Sequence, residues 1–290
     1  MKILLTGASG FVGSYFQEHY ANCYEIETFS FLRNDLQRLS CEGIHTVIHL
    51  AALVHQMEGS SYEAYQKVNV AQTIQLAKKA KCDGVKHFIF MSSIKACGEE
   101  SKQPYNESVA CMPQDDYGKT KLEAEQLLLA LADEHFKVSI IRTPIIYGYG
   151  VKANIASLVK LVSKVPVPLL PFGDIDNKRS MIFIGNLCHI IDTLIQTQKG
   201  GVFFVADDRT LSTKEFIQTI AKVQEKQIIL LKIPFFAAML KILKTSFYKR
   251  LYESLEIDTR NSKERLFDKH GYKLPYSVEE GIEIMIKGEQ

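Results

Sequence analysis

Tyr117 and Lys121 stand four residues apart in the stretch Tyr117-Gly118-Lys119-Thr120-Lys121, so a helix places both on one face. Tyrosine is a poor acid or base near neutral pH, with an ordinary pKa of about 10. A neighbouring ammonium favours the phenolate and lowers that value. Bringing it near 7 takes roughly 4 kcal/mol of differential stabilisation. Such a pair suits proton exchange with a hydroxyl or carbonyl oxygen. Upstream, Phe88-Ile89-Phe90-Met91-Ser92-Ser93 reads as a buried strand that ends in two hydroxyls. Those serines either assist the tyrosine or simply cap the strand end.

A second set of residues offers a seat for an anion. Ile3-Leu4-Leu5 reads as a strand, and Thr6-Gly7-Ala8-Ser9-Gly10-Phe11-Val12-Gly13 leads from it into a helical pattern that runs to Tyr20. Gly7 permits a tight turn, Gly10 lets the backbone approach a pyrophosphate, and Gly13 lets helix and strand pack closely. The helix start at Gly10, Phe11, Val12 and Gly13 offers unpaired N–H groups and a positive dipole end. An ordinary glycine-rich turn is the alternative, and the position between strand and helix favours a nucleotide.

These residues need a frame. Strand and helix patterns alternate through the first half, which predicts an α/β fold: a doubly wound parallel sheet with helices on both faces. Tyr24 to Ser30 and Thr46 to Ala52 read as strands, the latter ending in small residues, Ala51 and Ala52, that let a cofactor lie close. Ser60 and Glu63 form a capping box for a helix to about Ala80. Lys86 to Ser93 is the next strand, Asp116 to His135 the helix carrying Tyr117, and Lys137 to Ile141 a further strand. The expected dinucleotide-binding domain spans 1–150 and is rejoined by about 185–208. A smaller α/β lobe covers 151–184 and 209–290, with capping boxes at Ser212/Glu215 and Ser277/Glu280.

Composition sets further bounds. Lys+Arg 35 against Asp+Glu 33 gives a net charge of +2 over 290 residues, which argues against nucleic acid as a partner. The six cysteines form no C-x-x-C pair, so thiols in a reducing compartment are expected, with neither disulfides nor a metal site. No leader precedes the first strand and no apolar run reaches membrane-spanning length, which places the expected protein in the cytoplasm. From Lys226 to Tyr252 there are six basic residues and no acidic one. A basic amphipathic helix of this kind lies on a membrane surface. The preferred reading is a helix of the small lobe whose stripe, Phe236, Leu240, Leu243 and Phe247, sits in a core.

Taken together, the glycine turn, the strand-end serines and Tyr-x-x-x-Lys resemble the short-chain dehydrogenase/reductase superfamily, in the spacing of its extended branch. The resemblance covers nearly the whole chain. It implies a Rossmann-type domain, a nicotinamide dinucleotide, a nucleoside-diphosphate sugar as substrate and a homodimer. It assigns catalysis to Ser93, Tyr117 and Lys121, with Ser93 also touching substrate and both Tyr117 and Lys121 touching cofactor. It places Ser92 along the cofactor and gives Asn69 a supporting role beside it, a buried polar cap being the alternative. Asn154 and Arg179 match residues near the substrate diphosphate, and a guanidinium fits a phosphate bidentately.

Departures from the pattern narrow the branch. Ile94 and Lys95 stand where 4,6-dehydratases carry Asp-Glu, and the Cys/His pair of the 3,5-epimerising reductases is not evident. The stretches Ala51–His55, Ser92–Lys95, Gly150–Asn154 and Asn177–Ser180 resemble capsule and O-antigen enzymes. The expected reaction is reduction of a UDP-4-keto-6-deoxy-hexosamine in surface polysaccharide biosynthesis. The alternatives are a UDP-hexose or UDP-N-acetylhexosamine 4-epimerase, and a dinucleotide-binding protein without chemistry. For the cofactor, the acid that bonds a ribose 2′-hydroxyl is expected about 20 residues past the glycines. That position falls at Ser30, with Arg33 nearby, which favours NADP(H) over NAD(H). Asp35 and Leu36 match the family's adenine-side pair, and Asp35 reaching the ribose is the alternative.

Overall fold

The computed structural model describes residues 1–54, 61–100, 103–164, 169–173, 175–233, 235–243 and 245–288; the side chains of 153, 154, 236, 237, 245–247 and 250 also lie outside that description. Ser60 and His55 therefore fall outside it, as does the side chain of Asn154.

The chain opens with β1 (Lys2–Thr6), α1 (Phe11–Tyr20), β2 (Glu25–Phe29) and β3 (Thr46–His49). A helical stretch then runs from α2 (Tyr62–Tyr65) through a π-helical segment, Gln66–Gln72, into α3 (Thr73–Cys82). β4 (His87–Ser93), α4 (Asp116–Leu131) and β5 (Lys137–Thr143) complete the first half. β1 to β5, joined by a later strand β9, make a parallel six-stranded sheet in the order β2-β1-β3-β4-β5-β9. The chain passes from β1 to β2 on one side and then crosses back to β3 on the other, and this reversal of strand order opens a crevice at the carboxyl ends of β1 and β3.

Side-chain alternation along the strands fills two cores, as a sheet covered on both faces requires. Ile3, Leu5, Ile89 and Ile141 face one cluster with Phe16 of α1. Leu4, Val47, Phe88, Phe90 and Ile140 face the other, with Leu76 of α3 and Leu128 of α4. β2 lies at the edge and carries charge outward, with Lys2 Nζ 2.7 Å from Glu27, which discourages pairing with another sheet.

The second half begins with β6 (Ile145–Tyr147), α5 (Ala153–Lys164), β7 (Leu169–Leu170), β8 (Met181–Phe183) and α6 (Ile184–Thr197). β9 (Gly201–Phe204), α7 (Thr213–Val223) and β10 (Ile229–Leu230) follow, then α8 (Phe236–Leu243), α9 (Thr245–Tyr252), α10 (Arg260–Phe267) and α11 (Val278–Lys287). β6 pairs with β8 and β7 with β10 in two small parallel sheets. Where the chain leaves β9, the buried Asp207 carboxylate accepts from Tyr147 Oη at 2.7 Å, Asn186 Nδ2 at 2.8 Å and Phe183 N at 3.0 Å. That cluster ties β6, β8 and α6 to the end of the main sheet. The capping boxes at Ser212/Glu215 and Ser277/Glu280 both form.

Several boundaries differ from expectation. Ser61, not Ser60, caps the helix before Glu63, accepting from Ala64 N at 3.3 Å. α4 stops at Leu131 because Asp133 folds the chain into a turn, accepting from His135 N and Phe136 N, each at 2.8 Å. The basic stretch is two helices, and its core stripe fails at Leu243, which is 70% exposed, although Leu240 is buried. The cysteines are scattered in sequence but not in space: Cys97 and Cys111 bring their sulfurs to 2.8 Å. Among the described residues, no helix is long and apolar enough to cross a membrane.

Candidate active site

Gly7 sits at φ +74°, a left-handed conformation that glycine adopts freely. A Cβ there would lie 2.7 Å from Ala51 N and 2.8 Å from the Leu50 carbonyl carbon, so the turn presses on the backbone leaving β3. At Gly13 a Cβ would come within 2.3 Å of Gly7 O, and only glycine lets α1 start this close to the turn. Gly10 is the N-cap of α1 and supplies no side-chain cap, leaving the helix start at Phe11 and Val12 to an external acceptor. This cradle at the switch point fits the pyrophosphate of a dinucleotide.

The turn is braced from below by residues that sequence reasoning passed over. Thr6 Oγ1 bonds His49 Nδ1 at 2.6 Å, and His49 Nε2 bonds Thr73 Oγ1 at 2.8 Å. Ala51 N donates to the same Thr6 oxygen at 3.3 Å. Burial, reinforced by the charge of Lys121, lowers the His49 imidazole to about 3. It therefore remains neutral, which suits a brace joining three elements. Asn69 performs a similar task within the π-helical segment. Its Oδ1 accepts from Leu53 N at 2.8 Å and its Nδ2 donates to Leu53 O at 3.0 Å. The same Nδ2 lies 3.5 Å from Thr120 Oγ1 on α4. Asn69 is a buried support for the loop after Ala51 and Ala52 and for the tyrosine helix.

The catalytic candidates converge at the end of β4. Ser93 caps the short turn that follows, accepting from Lys95 N at 3.2 Å, and its hydroxyl lies close enough to Tyr117 to favour the ionised phenol. Asp115 caps α4 by accepting from Gly118 N at 2.7 Å, while its other oxygen lies 2.5 Å from Lys95 Nζ. Lys95 also reaches Glu99 at 3.0 Å. A Cβ on Gly118 would fall 2.3 Å from Lys95 O, so glycine lets α4 lie directly on the serine turn. The sequence displayed Gly118 inside the motif, and only the packing gives its reason.

Ser92 differs from expectation. Adjacent strand residues point to opposite faces, and the Ser92 hydroxyl donates to the buried Glu125 carboxylate of α4. Glu125 also holds Arg142, with Nη2 to Oε2 at 2.5 Å. The Ser92 side chain thus joins a buried ion-pair network.

Tyr117 and Lys121 share the expected face, and Lys121 Nζ lies 5.9 Å from the tyrosine ring. Their electrostatics correct the expected direction. Burial, followed by the charge of Asp115, holds the Tyr117 hydroxyl above its ordinary value, and the neighbouring Ser93 hydroxyl opposes this. Burial lowers the Lys121 ammonium to about 7, with Glu125 acting the other way. Lys121 is 2% exposed and donates to Met91 O at 2.7 Å, over the Phe90 ring at 4.4 Å. In the protein alone, the tyrosine keeps its proton.

The remaining candidates spread out. Ser30 N bonds Asn34 Oδ1 at 3.2 Å, and Arg33 is exposed beyond the end of β2. Asp35 caps a short turn, accepting from Gln37 N at 3.0 Å, while Leu36 packs on the second core. Arg179 lies apart from Tyr117, in the wall of a mainly apolar cavity of about 260 Å³ with Phe172, Met181, Phe216 and Leu251. Its Nη1 donates to Glu253 O at 3.0 Å and Lys249 O at 3.4 Å. Ser93, Tyr117 and Lys121 are not part of that wall.

The buried Lys121 generates a prediction about stability. Its depressed pKa means that the unfolded state binds more protons between about 7 and 10.5. Its penalty is full below about 7 and fades as pH rises through that window. A fall of this size corresponds to roughly 5 kcal/mol, against about 1–3 kcal/mol for leaving Met91 O unpaired. Lys121→Met is therefore expected to raise the melting temperature at pH 6, by about 2–4 °C per kcal/mol gained. The difference should shrink toward pH 10. Thermal denaturation across that range checks both the sign and the slope.

The family described as "NAD dependent epimerase/dehydratase family" matches residues 3–206. A UDP-glucose 4-epimerase from Vibrio cholerae is 38% identical over 311 aligned positions, covering 97% of this chain and 93% of the relative. A GDP-6-deoxy-D-mannose reductase from Pseudomonas aeruginosa is 24% identical, covering 98% and 96%. Among solved structures, the UDP-glucuronic acid 4-epimerase from Bacillus cereus in complex with NAD superposes with a TM-score of 0.78 at 20% identity, covering 99% of this chain and 98% of that one. With the Rossmann-like sheet, the glycine cradle and the Ser93–Tyr117–Lys121 cluster in place, the chain belongs to the NAD-dependent epimerase/dehydratase family of extended short-chain dehydrogenases/reductases, which use a nicotinamide dinucleotide.

Proposed function

We propose that this protein interconverts the configuration at C4 of a UDP-hexose or UDP-N-acetylhexosamine. The observation that carries this reading is the convergence of Ser93 and Tyr117 at the end of β4, with Lys121 Nζ 5.9 Å from the tyrosine ring. The 38% identity to a UDP-glucose 4-epimerase supports it. When bound, the nicotinamide dinucleotide supplies hydride exchange at the sugar carbon. Ser93 holds the C4 oxygen, and Tyr117 passes a proton to or from it. Taking that proton requires positive charge beside the phenol, which a protonated Lys121 contributes. Rotation of the 4-keto sugar between the two hydride steps inverts the carbon. Residues 1–150, with 185–208, form the dinucleotide domain in this reading, and 151–184 with 209–290 form the sugar-nucleotide lobe. The cavity beside Arg179 takes the nucleotide end, with Arg179 toward the diphosphate; the side chain of Asn154, the other expected diphosphate contact, lies outside the described residues.

A second reading, reduction of a UDP-4-keto-6-deoxy-hexosamine with NADPH, is favoured by one observation. Ser30 takes the place of a carboxylate, and Arg33 is exposed nearby. Asp35 is already engaged as a cap and lies 4.0 Å from Arg38. Removing the carboxylate removes its repulsion of a 2′-phosphate, for which Arg33 offers a partner.

The two readings separate by products. Under the first, UDP-glucose or UDP-N-acetylglucosamine incubated with the purified protein gives the galacto epimer, resolved by chromatography. Tyr117→Phe is expected to lower that turnover by about 10²- to 10⁴-fold with cofactor binding nearly intact. Near-normal turnover in this variant contradicts the mechanism. Consumption of NADPH with the 4-keto sugar, and no epimer, favours the reductase.

Cofactor choice is tested by titrating NADH and NADPH into the wild type and Arg33→Ala. Loss of a charged hydrogen bond to the 2′-phosphate is expected to weaken NADPH by about 1.5–3 kcal/mol, with NADH unchanged. Equal losses for both cofactors, or none, remove Arg33 from cofactor recognition.

A further inference from the structure

The segment from Ile229 to Leu243 carries exposed apolar side chains in unusual density. Phe235 is 87% exposed, Ile242 81%, Leu243 70% and Met239 46%. Met239 N donates to Phe235 O at 2.9 Å, so Phe235 sits at the start of α8. Met239, Ile242 and Leu243 stand at i, i+3 and i+4 within α8 and share one stripe of about 100°, while Phe235, at φ +63°, precedes the helix. Leu240, on a different face, is buried at 7% and anchors the helix to the protein. Single exposed apolar residues are ordinary, but a contiguous stripe marks an interaction surface.

Charge identifies what meets it. Lys232 is exposed just before the helix and Lys241 on its opposite face, within a stretch of six basic and no acidic residues from Lys226 to Tyr252. A second copy of this chain packed face to face would bring like charges together. An anionic lipid surface accepts apolar side chains and lysines at once. We infer that α8 is an interfacial docking helix, which lays Phe235, Met239, Ile242 and Leu243 into the headgroup region of an anionic bilayer with Lys232 at the phosphates. α9 continues from this helix into the wall of the apolar cavity through Leu251. Arg179 fastens it there by donating to Lys249 O and Glu253 O. Docking therefore presents that cavity beside the lipid surface.

The test is flotation of the full chain with vesicles of phosphatidylcholine alone, and of phosphatidylcholine and phosphatidylglycerol in equal parts. Flotation is expected with the anionic vesicles and is expected to fall about tenfold or more in about 0.5 M salt, where the Debye length is only a few ångströms. Ile242→Asp and Lys232→Glu are each expected to lower the bound fraction about tenfold, with unchanged melting temperature because both side chains are exposed. Lys232→Glu keeps the test decisive if the aspartate variant folds poorly. Equal flotation with both vesicle types, or none with either, overturns the inference. So does sedimentation in which Ile242→Asp turns a dimer into a monomer without loss of flotation, because the stripe then belongs to a second copy.

Discussion

The carbonyl oxygen of Lys95 lies where a side chain on residue 118 would stand, and the geometry of the site depends on that contact. With glycine at 118, the first turn of α4 rests on the turn that closes β4. Asp115 then reaches both Gly118 N and the Lys95 ammonium. One carboxylate caps the tyrosine helix and ties it to the serine turn, so Ser93 and Tyr117 meet without either depending on a flexible loop. In this chain Lys95 replaces a carboxylate that dehydratases use for chemistry. Its ammonium instead serves position, held between Asp115 and Glu99.

The same packing creates a conflict. Excluding water around α4 buries Lys121 against Phe90 and lowers its ammonium to about 7, while it raises the Tyr117 hydroxyl. Burial thus works against both ionised forms that proton exchange requires. The fold accepts a destabilising lysine in its interior, and the hydrogen bond from Lys121 to Met91 O and the Ser93 hydroxyl beside Tyr117 offset part of the effect. His49 shows the opposite solution: the same burial keeps it neutral, and neutrality is what a brace under the glycine turn needs.

Much of this was legible in the sequence because periodicity and glycine placement are local. The strands, Gly7 and Gly13, the Tyr117–Lys121 face and two later capping boxes follow from spacing alone. What escaped depends on contacts between distant segments. Nothing in Thr6, His49 and Thr73 taken singly announces a shared hydrogen-bond chain, and the Cys97–Cys111 approach is invisible to a search for C-x-x-C. Ser92 and Ser93 look equivalent on paper, and strand alternation sends one to Glu125 and the other to Tyr117. The apolar stripe of α8 has the pattern of a core helix, and only the tertiary packing shows that it faces outward. Spacing also gives no measure of burial, which holds the Tyr117 hydroxyl up in the protein alone.

The central claim is that hydride leaves and returns at one sugar carbon while Tyr117 handles the proton on its oxygen. It is tested most directly with UDP-glucose carrying deuterium at C4. The account predicts that the epimer formed by the purified protein retains the deuterium at C4, with none exchanged into solvent. Epimer in which the label has been washed out would contradict it, because inversion would then proceed by proton loss from carbon.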